Sequence, residues 1–345
     1  MLKEVCDFDF IFRAGVWKPR TSPSTFQGVG SEALQWLQEV KQQFGIEIAT
    51  EVATPAHVTE ALQAGIDYLW IGARTSANPI AVQEIADALL TTHYSLLTTR
   101  SETHSERGLK GIFIKNPVNE DAALWLGNIE RLEKTGIPVM AIHRGCAHKP
   151  CWAMAHYIRT QRPDIPILLD PSHMSGDATK IPALMKKIDE LQLDGAMIEV
   201  HHNPQEALSD SQQQIKPEEI REAYPRPVYG RSDAPRCSFR SKAKVNCFLH
   251  PKGKGKNTGS QELAWLRAEI DELDDQLWET IARRMEVSER IGEWKKAHGV
   301  QALQPQRYEE IVKQRKEWAE QKGLSKELVQ NLFDAIHQES LKKQG

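Results

Sequence analysis

The sequence predicts an α/β domain followed by an all-α one, and three observations carry that reading. Up to about residue 201, short β-rich runs alternate with stretches of helical periodicity, the pattern of a parallel sheet with helical crossovers. Residues 221–258 then hold ten Lys or Arg against two acids, with prolines at 225, 227, 235 and 251. Such composition buries no core and reads as a basic linker, a solvated tether or a contact for an anionic partner. From Gln261 onward the pattern is helical throughout. A chain of 345 residues also suits about two domains of ordinary size.

In the first domain the predicted strands are residues 11–15, 46–52, 68–73, 112–117, 139–145, 167–173 and 196–201. Each is a β-branched or aromatic run ending in a polar or glycine-containing loop. The helices between them fall at 32–44, 56–64, 80–90, 121–135, 152–162 and 178–191. Units this regular predict a (β/α)8 TIM barrel, yet only seven strands are legible, and a missing strand leaves two open edges. The chain is therefore expected to begin one unit late, its opening residues being the tail of a helix. The polar stretch 91–108 is expected to be a mobile loop. The predicted partition is a barrel over 1–220, a linker over 221–258 and a helical domain over 259–345.

Composition narrows the function classes. Hydrophobic residues at 40% and charged residues at 26% suit a folded, soluble chain. Mean hydropathy is −0.51, and no apolar run approaches the ~18 residues of a membrane span. The opening residues lack the apolar core of a secretory leader. A net charge of −3 gives no general attraction to nucleic acid or anionic lipid. Cys6, Cys146, Cys151, Cys237 and Cys247 are odd in number and scattered, which predicts a reducing cytoplasm.

In the tail, Leu263, Leu266, Ile270, Leu273, Leu277, Val287, Ile291 and Trp294 follow helical spacing, with no breaker before Gly299. The implied helix runs about 35 residues, or about 50 Å. The rest of the tail is too short to cover it, so an intertwined dimer is expected. Two further helices are predicted over 305–321 and 325–343, the second capped by Ser325. Arg284 falls on the apolar stripe, and Lys295 lies eleven residues on, only about 20° around the helix. Both must meet an anion, pair with an acid such as Glu289, or snorkel outward. Arg267 lies about 100° off the face of Arg284, so one chain does not easily aim both at one spot, whereas a second subunit could.

The run from Leu266-Arg267 to Asp274, with Ala282-Arg-Arg284, Gly292-Glu-Trp-Lys295, Arg307, Ser340 and Gln344, resembles the all-helical chorismate mutase family. The resemblance implies a domain-swapped dimer without cofactor that rearranges chorismate to prephenate. Arg284, Lys295, Arg307, Ser340 and Gln344 would line one pocket, with Arg267 entering from the second subunit. Lys295 and Gln344 would address the breaking ether oxygen. Gln304 and Tyr308 depart from the acids that the family often has there.

The barrel presents Arg13-Ala-Gly-Val-Trp-Lys18-Pro-Arg20-Thr21, Gly72-Ala-Arg74, Lys115-Asn-Pro and His143-Arg144-Gly, each just past a strand end. Cations repeated at one end of a barrel describe a site for phosphorylated, carboxylated substrates. Asp170-Pro-Ser-His173, Glu199-Val-His201 and Ser209-Asp210 add a mixed nitrogen and oxygen set suited to a divalent metal. A second candidate set is His143, Cys146, His148 and Cys151. Together the motifs resemble 3-deoxy-D-arabino-heptulosonate 7-phosphate (DAHP) synthase, of the small type fused to chorismate mutase. The resemblance implies that Arg74, Lys115 and Arg144 hold phosphoenolpyruvate, and that Arg20 and Thr21 hold the phosphate of erythrose 4-phosphate. Lys18 would stand between the two substrates. His173, Glu199 and Asp210 would bind a divalent metal of the Mn, Fe, Co or Zn class. The family's opening Ala-Gly-Pro-Cys-Ser strand, whose cysteine is a metal ligand, has no counterpart here. The expected protein is thus a bifunctional enzyme with an impaired synthase. The alternative is a mutase whose inactive barrel serves as scaffold or regulatory partner.

Overall fold

The computed structural model describes residues 10–98, 108–223, 259–301 and 305–344. Seven strands form one parallel sheet in chain order: β1 (Ile11–Arg13), β2 (Glu47–Val52), β3 (Tyr68–Ile71), β4 (Gly111–Lys115), β5 (Val139–His143), β6 (Ile167–Leu169) and β7 (Gly195–Ala196). The crossovers carry α1 (Ala33–Phe44), α2 (Pro55–Gln63), the short α3 (Ala73–Ser76), α4 (Pro79–Thr98), α5 (Ala122–Glu133), α6 (Trp152–Gln161), α7 (Pro171–Ser175) and α8 (Ile181–Glu190). A last turn, α9 (Ile220–Ala223), follows.

Every residue of β3, β4 and β5 is buried, because a parallel sheet is covered on both faces. Strand alternation sorts the two faces. Ala49, Tyr68, Trp70, Phe113, Met140, Ile142, Leu168 and Met197 form one cluster with Ile11, the plug inside the curled sheet. Their neighbours, among them Ile48, Leu69, Ile71, Ile112, Ile114, Ala141 and Ile167, meet helix residues such as Leu34, Val58, Ile129 and Ile158 in a larger outer cluster. Side-chain caps fix the helix starts. Thr54 accepts from the His57 amide at 3.3 Å, and Asp121 accepts from Leu124 at 2.8 Å.

The seven predicted strands are all present, and their starts agree to within about a residue. β7 is shorter than expected because its continuation changes partners. Beyond Ala196, Val200 pairs in parallel with Ile215, and the Ile215 amide donates to Glu199 O at 3.2 Å. The expected loop from residue 91 is corrected: α4 continues to Thr98. Polarity misled there, since no Gly or Pro interrupts residues 80–107 and Thr91 Oγ1 donates back to Asp87 O at 3.0 Å. Residues 99–107 and 224–258, the latter most of the basic linker, lie outside the described residues, as do Cys6, Cys237 and Cys247. The described sheet ends at β1 and β7.

The chain forms two units, Met1–Glu269 and Ile270–Gly345. The long helix α10 (Gly259–Ala297) begins in the first, where Trp265 is 1% exposed. Its indole stacks on His156 at 5.5 Å and meets Trp152 edge-on at 6.4 Å, while His156 Nδ1 is 2.7 Å from Glu269 Oε1. The second unit holds the rest of α10, then α11 (Pro305–Gln321) and α12 (Lys326–Gln344), close to the predicted bounds. Gly299 and Gly323 take positive φ at the ends of α10 and α11, and Val300 and Leu324 return bonds to Lys295 O and Ala319 O, both 2.9 Å. Ser325 caps α12 through the Leu328 amide at 3.1 Å, as its position predicts. No helix among the described residues is long and apolar enough to cross a membrane.

The segment after β1 folds back on itself: the Lys18 amide donates to Gln27 O at 2.7 Å and the Gly30 amide to Val16 O at 2.8 Å. Between these bonds Gly28 has φ +95, and a Cβ there would stand 2.2 Å from Val16 O. Gly28→Ala is therefore expected to destabilise the first unit by about 1–3 kcal/mol. Urea unfolding checks this, and an unchanged midpoint would show that the loop base tolerates a side chain.

Candidate functional site

The strand ends build the first site by a single rule. Two residues beyond each plug residue, alternation returns the chain to the inner face. The step leads from Ile11 to Arg13, Ala49 to Glu51, Trp70 to Gly72, Phe113 to Lys115, Ile142 to Arg144, Leu168 to Asp170 and Met197 to Glu199. All but Asp170 line one cavity of about 510 Å³, joined by Lys18, Arg20, Arg74, His148, His173 and Asp210. Six cationic side chains and three carboxylates face this space among the described residues.

Asp170 is fully buried. Its Oδ2 is 2.7 Å from Lys115 Nζ, and its Oδ1 accepts from the His173 amide and lies 3.1 Å from His173 Nδ1. Burial opposes the charge on Asp170, but His173 and Lys115 outweigh it and hold the carboxyl well below its ordinary range. Removing one partner of such a buried pair costs about 3–5 kcal/mol. His173 Nε2 faces Glu199 Oε1 at 3.8 Å. Glu199 also takes bonds from Arg13 at 3.1 Å and Gln213 Nε2 at 2.7 Å. Burial again works against charge, and His173 and Arg13 lower its pKa nonetheless. The Arg13–Glu199 pair joins the segments at the two edges of the sheet.

Asp210 is held by Lys18 Nζ at 3.3 Å and by Arg20 at 3.0 and 3.3 Å. Despite partial burial, the Arg20 hydrogen bonds and the Lys18 charge lower its pKa strongly. Arg20 Nε also donates to Phe26 O at 3.2 Å, so the returning loop closes on this guanidinium. Arg74 Nε donates to Thr21 Oγ1 at 3.1 Å. Asn116, itself buried, accepts from the Arg144 amide at 2.7 Å and donates to Gly145 O at 3.0 Å, fixing the turn that aims Arg144. Glu51 behaves differently from the other acids. Burial pushes its pKa up, and Lys115, Arg13 and Lys18 only partly offset this. A Cβ at Gly72 would stand 2.0 Å from Glu51 Oε1, so glycine on β3's exit makes room for this carboxyl.

Of the sequence-predicted residues, Lys18, Arg20, Arg74, Lys115, Arg144, His173, Glu199 and Asp210 converge on the cavity, and Thr21 joins through Arg74. Sequence reasoning missed Glu51 and gave no role to Arg13 or Asp170. The two-residue step past each plug residue was the signal. For a metal, the fit lies in His173 and Glu199: Asp170 orients the ring through Nδ1 and leaves Nε2 toward a carboxylate, the usual arrangement of a metal-bound histidine. Asp210 is the third donor of the predicted set and sits here against cations. No ready group of three or more His, Cys, Asp or Glu exists among the described residues. The set of His143, Cys146, His148 and Cys151 is corrected by its own surroundings. His143 is buried between Trp125 and Trp152, its Nε2 is 2.6 Å from Pro150 O, and burial lowers its pKa to about 4. Cys146 Sγ turns to Met154 Sδ at 3.2 Å.

The second unit assembles a smaller cluster. Arg284 donates to Ser340 Oγ, and Lys295 Nζ donates to Gln344 Oε1 at 3.1 Å. Gly292 permits this approach, because a Cβ there would stand 2.7 Å from Gln344 Cα. Burial lowers the pKa of the Arg284 guanidinium, and burial with the Arg284 and Lys295 charges lowers that of His337. Tyr308 donates to Asp334 and lies tilted against His337, with ring centroids 4.3 Å apart. Arg307 is not brought in; it is exposed, 3.9 Å from Glu310. Arg267 is an exposed residue of α10 in the first unit, and Gln304 lies outside the described residues.

Residues 2–90 and 152–226 match the DAHP synthetase I family, and residues 266–345 match chorismate mutase type II. Over 207 residues the chain is 28% identical to a phospho-2-dehydro-3-deoxyheptonate aldolase of Thermotoga maritima, covering 59% of this chain and 56% of that one. Over 79 residues it is 38% identical to a 4-amino-4-deoxychorismate mutase of Streptomyces venezuelae, covering 23% of this chain and 77% of that one. A crystal structure of phospho-2-dehydro-3-deoxyheptonate aldolase (DAHP synthase) from Thermotoga maritima shares the fold, with a TM-score of 0.52 at 24% identity, over 63% of this chain and 59% of that one. The chain thus spans little more than half the length of the Thermotoga relative.

The raised Glu51 pKa has a sign that can be measured. The folded protein holds a proton here above the ordinary value of 4.5, where the unfolded chain has lost it. This group therefore favours folding below that pH, and the advantage fades as pH rises through its folded pKa. Glu51→Gln keeps the protonated shape, so it is expected to raise the melting temperature at pH 7.5 and not at about pH 4. Equal shifts at both pH values would contradict the assignment.

Proposed function

We propose that this chain, which belongs to the chorismate mutase type II family through residues 266–345 and carries a DAHP synthetase I family domain in its barrel, is a bifunctional enzyme. The barrel condenses phosphoenolpyruvate with erythrose 4-phosphate, and the helical domain converts chorismate to prephenate. The observation that carries the barrel reading is the convergence of six cations on one mouth, beside a buried carboxyl that favours its proton.

Arg74, Lys115 and Arg144 neutralise the phosphate and carboxylate of phosphoenolpyruvate, and paired arginine donors fix its orientation. Arg20 and Thr21 take the phosphate of the aldehyde, which displaces Asp210 as the partner of Arg20. Lys18 then stands where the aldehyde oxygen gains negative charge. The enol carbon of phosphoenolpyruvate bonds to the aldehyde carbon, water adds at C2, and the C2–O bond to phosphate breaks. Glu51, whose raised pKa favours its proton, is placed to give that proton to the former aldehyde oxygen and to regain one from the added water. His173 and Glu199, with Asp210, are the residues that would hold a divalent metal of the Mn, Fe, Co or Zn class, which supplies Lewis-acid polarisation of the aldehyde.

In the mutase, no proton or nucleophile is required. Arg284, with Arg307 and a second subunit's Arg267, would grip the two carboxylates of chorismate, Ser340 orients Arg284, and Lys295 with Gln344 stabilises the ether oxygen as its bond breaks. A homodimer is supported by the α10 stripe: Ile270, Leu273, Leu277, Val287, Ile291 and Trp294 are 43–63% exposed in one copy. The scattered cysteines favour the cytoplasm. One observation favours the competing reading of a mutase with an inactive barrel: Asp210 is bound to Lys18 and Arg20 rather than grouped with His173 and Glu199.

Both reactions are to be measured on one preparation. Erythrose 4-phosphate-dependent loss of phosphoenolpyruvate is expected alongside prephenate formation, and mutase activity alone would favour the competing reading. Lys295→Ala should lower mutase kcat by about 10²-fold or more, because its charge acts mainly in the transition state. Wild-type turnover in that variant would end the mutase assignment. Sedimentation should give twice the chain mass, reduced to one chain by Leu277→Asp.

A further inference from the structure

The loop that carries Lys18, Arg20 and Thr21 is braced by a contact that does not reach the cavity. Trp17 lies flat on His57, with ring centroids 4.1 Å apart and planes within 3°. Neither residue lines the pocket. His57 is itself held by the turn between β2 and α2: its amide donates to Thr54 Oγ1, and its Nδ1 accepts from the Ala53 amide, both at 3.3 Å. On the loop side, Val16 O and the Lys18 amide are taken by Gly30 and Gln27. The backbone around Trp17 is thus closed into a loop, and the stack pins that loop to the neighbouring strand–helix unit. Lys18 follows the pinned residue directly, and Pro19 restricts the path to Arg20.

We propose that His57 is a positioning residue for the phosphorylated aldehyde, acting through Trp17 to hold Lys18, Arg20 and Thr21 over the cavity. This deepens the synthase reading above and rests on it. Lys115 and Arg144 are borne on other strand ends, and only Arg74 touches the loop, through Thr21, so phosphoenolpyruvate depends less on the stack. The role is selective. A stacked ring pair of this size corresponds to about a two- to tenfold effect.

The test uses the full chain and four variants: His57→Ala, His57→Phe, Trp17→Ala and Trp17→Phe. Both Ala variants should raise KM for erythrose 4-phosphate by about two- to tenfold and lower kcat through the displaced Lys18, with a smaller change in KM for phosphoenolpyruvate. Both Phe variants keep a flat face and should restore KM; His57→Phe also lacks the Ala53 bond, which separates stacking from that bond. A second readout needs no turnover. Trypsin cuts after Arg20 but not at Lys18, which precedes Pro19. The Ala variants should be cut faster at Arg20, and inorganic phosphate should protect the wild type and the Phe variants more than the Ala variants. A KM rise shared equally by both substrates, failure of the Phe variants to rescue, or equal cleavage in all five proteins would overturn the proposal. Absence of condensation in the wild type would sink the synthase reading, and the cleavage series would then decide the positioning role.

Discussion

Placing an unprotonated carboxylate where water does not reach is unfavourable unless cations and donors surround it, and Asp170 is such a group. Its charge persists because Lys115 lies at 2.7 Å and His173 presents both its amide and its ring at 3.1 Å. Three features follow from that one placement. Lys115 is fixed at the end of β4, α7 is capped at its first turn, and the His173 ring is oriented so that Nε2 faces Glu199. Glu199 in turn takes Arg13, which ties the segment after β7 to β1. A single buried charge thereby organises four strand ends.

Around this fixed point the other charges pair more loosely. Arg20 and Lys18 hold Asp210 at distances of 3.0 to 3.3 Å and are partly exposed. The charge pairs are tight around Asp170 and looser around Asp210. Glu51, given room by Gly72, is the one carboxyl lining the cavity, among the described residues, whose pKa burial raises.

Much of this was legible in the sequence, for reasons that differ by element. The strands were legible because β-branched and aromatic runs buried on both faces leave an unmistakable hydropathy signal, as in Tyr68–Ile71. The cations at Lys18, Arg20, Arg74, Lys115 and Arg144 were legible because each follows such a run. Glu51 was not, since an acid among Ala, Thr and Val looks like a solvated residue until its inward parity with Ala49 is noticed. Helix α4 was less legible, because its polar second half resembles a loop although no breaker interrupts it. The Trp17–His57 stack and the partners of Asp210 depend on residues up to 192 positions apart, which no local pattern encodes. Arg307, placed in the pocket by resemblance, is exposed in a single copy.

The step of two that links plug to mouth also bears on how the barrel reaches its native pairing. A slip of one residue in β4 would turn Lys115 toward the helices and Ile114 into the mouth. The lysine would then lie in an apolar layer without Asp170, and Asp170 would lose the cation that offsets its burial. The same holds in β1, β2 and β6, whose mouth residues are also charged. Misregistered pairings are thus penalised by unpaired charge as well as by misplaced hydrophobic surface, so the charged residues at the strand ends also proofread strand alignment while the chain folds.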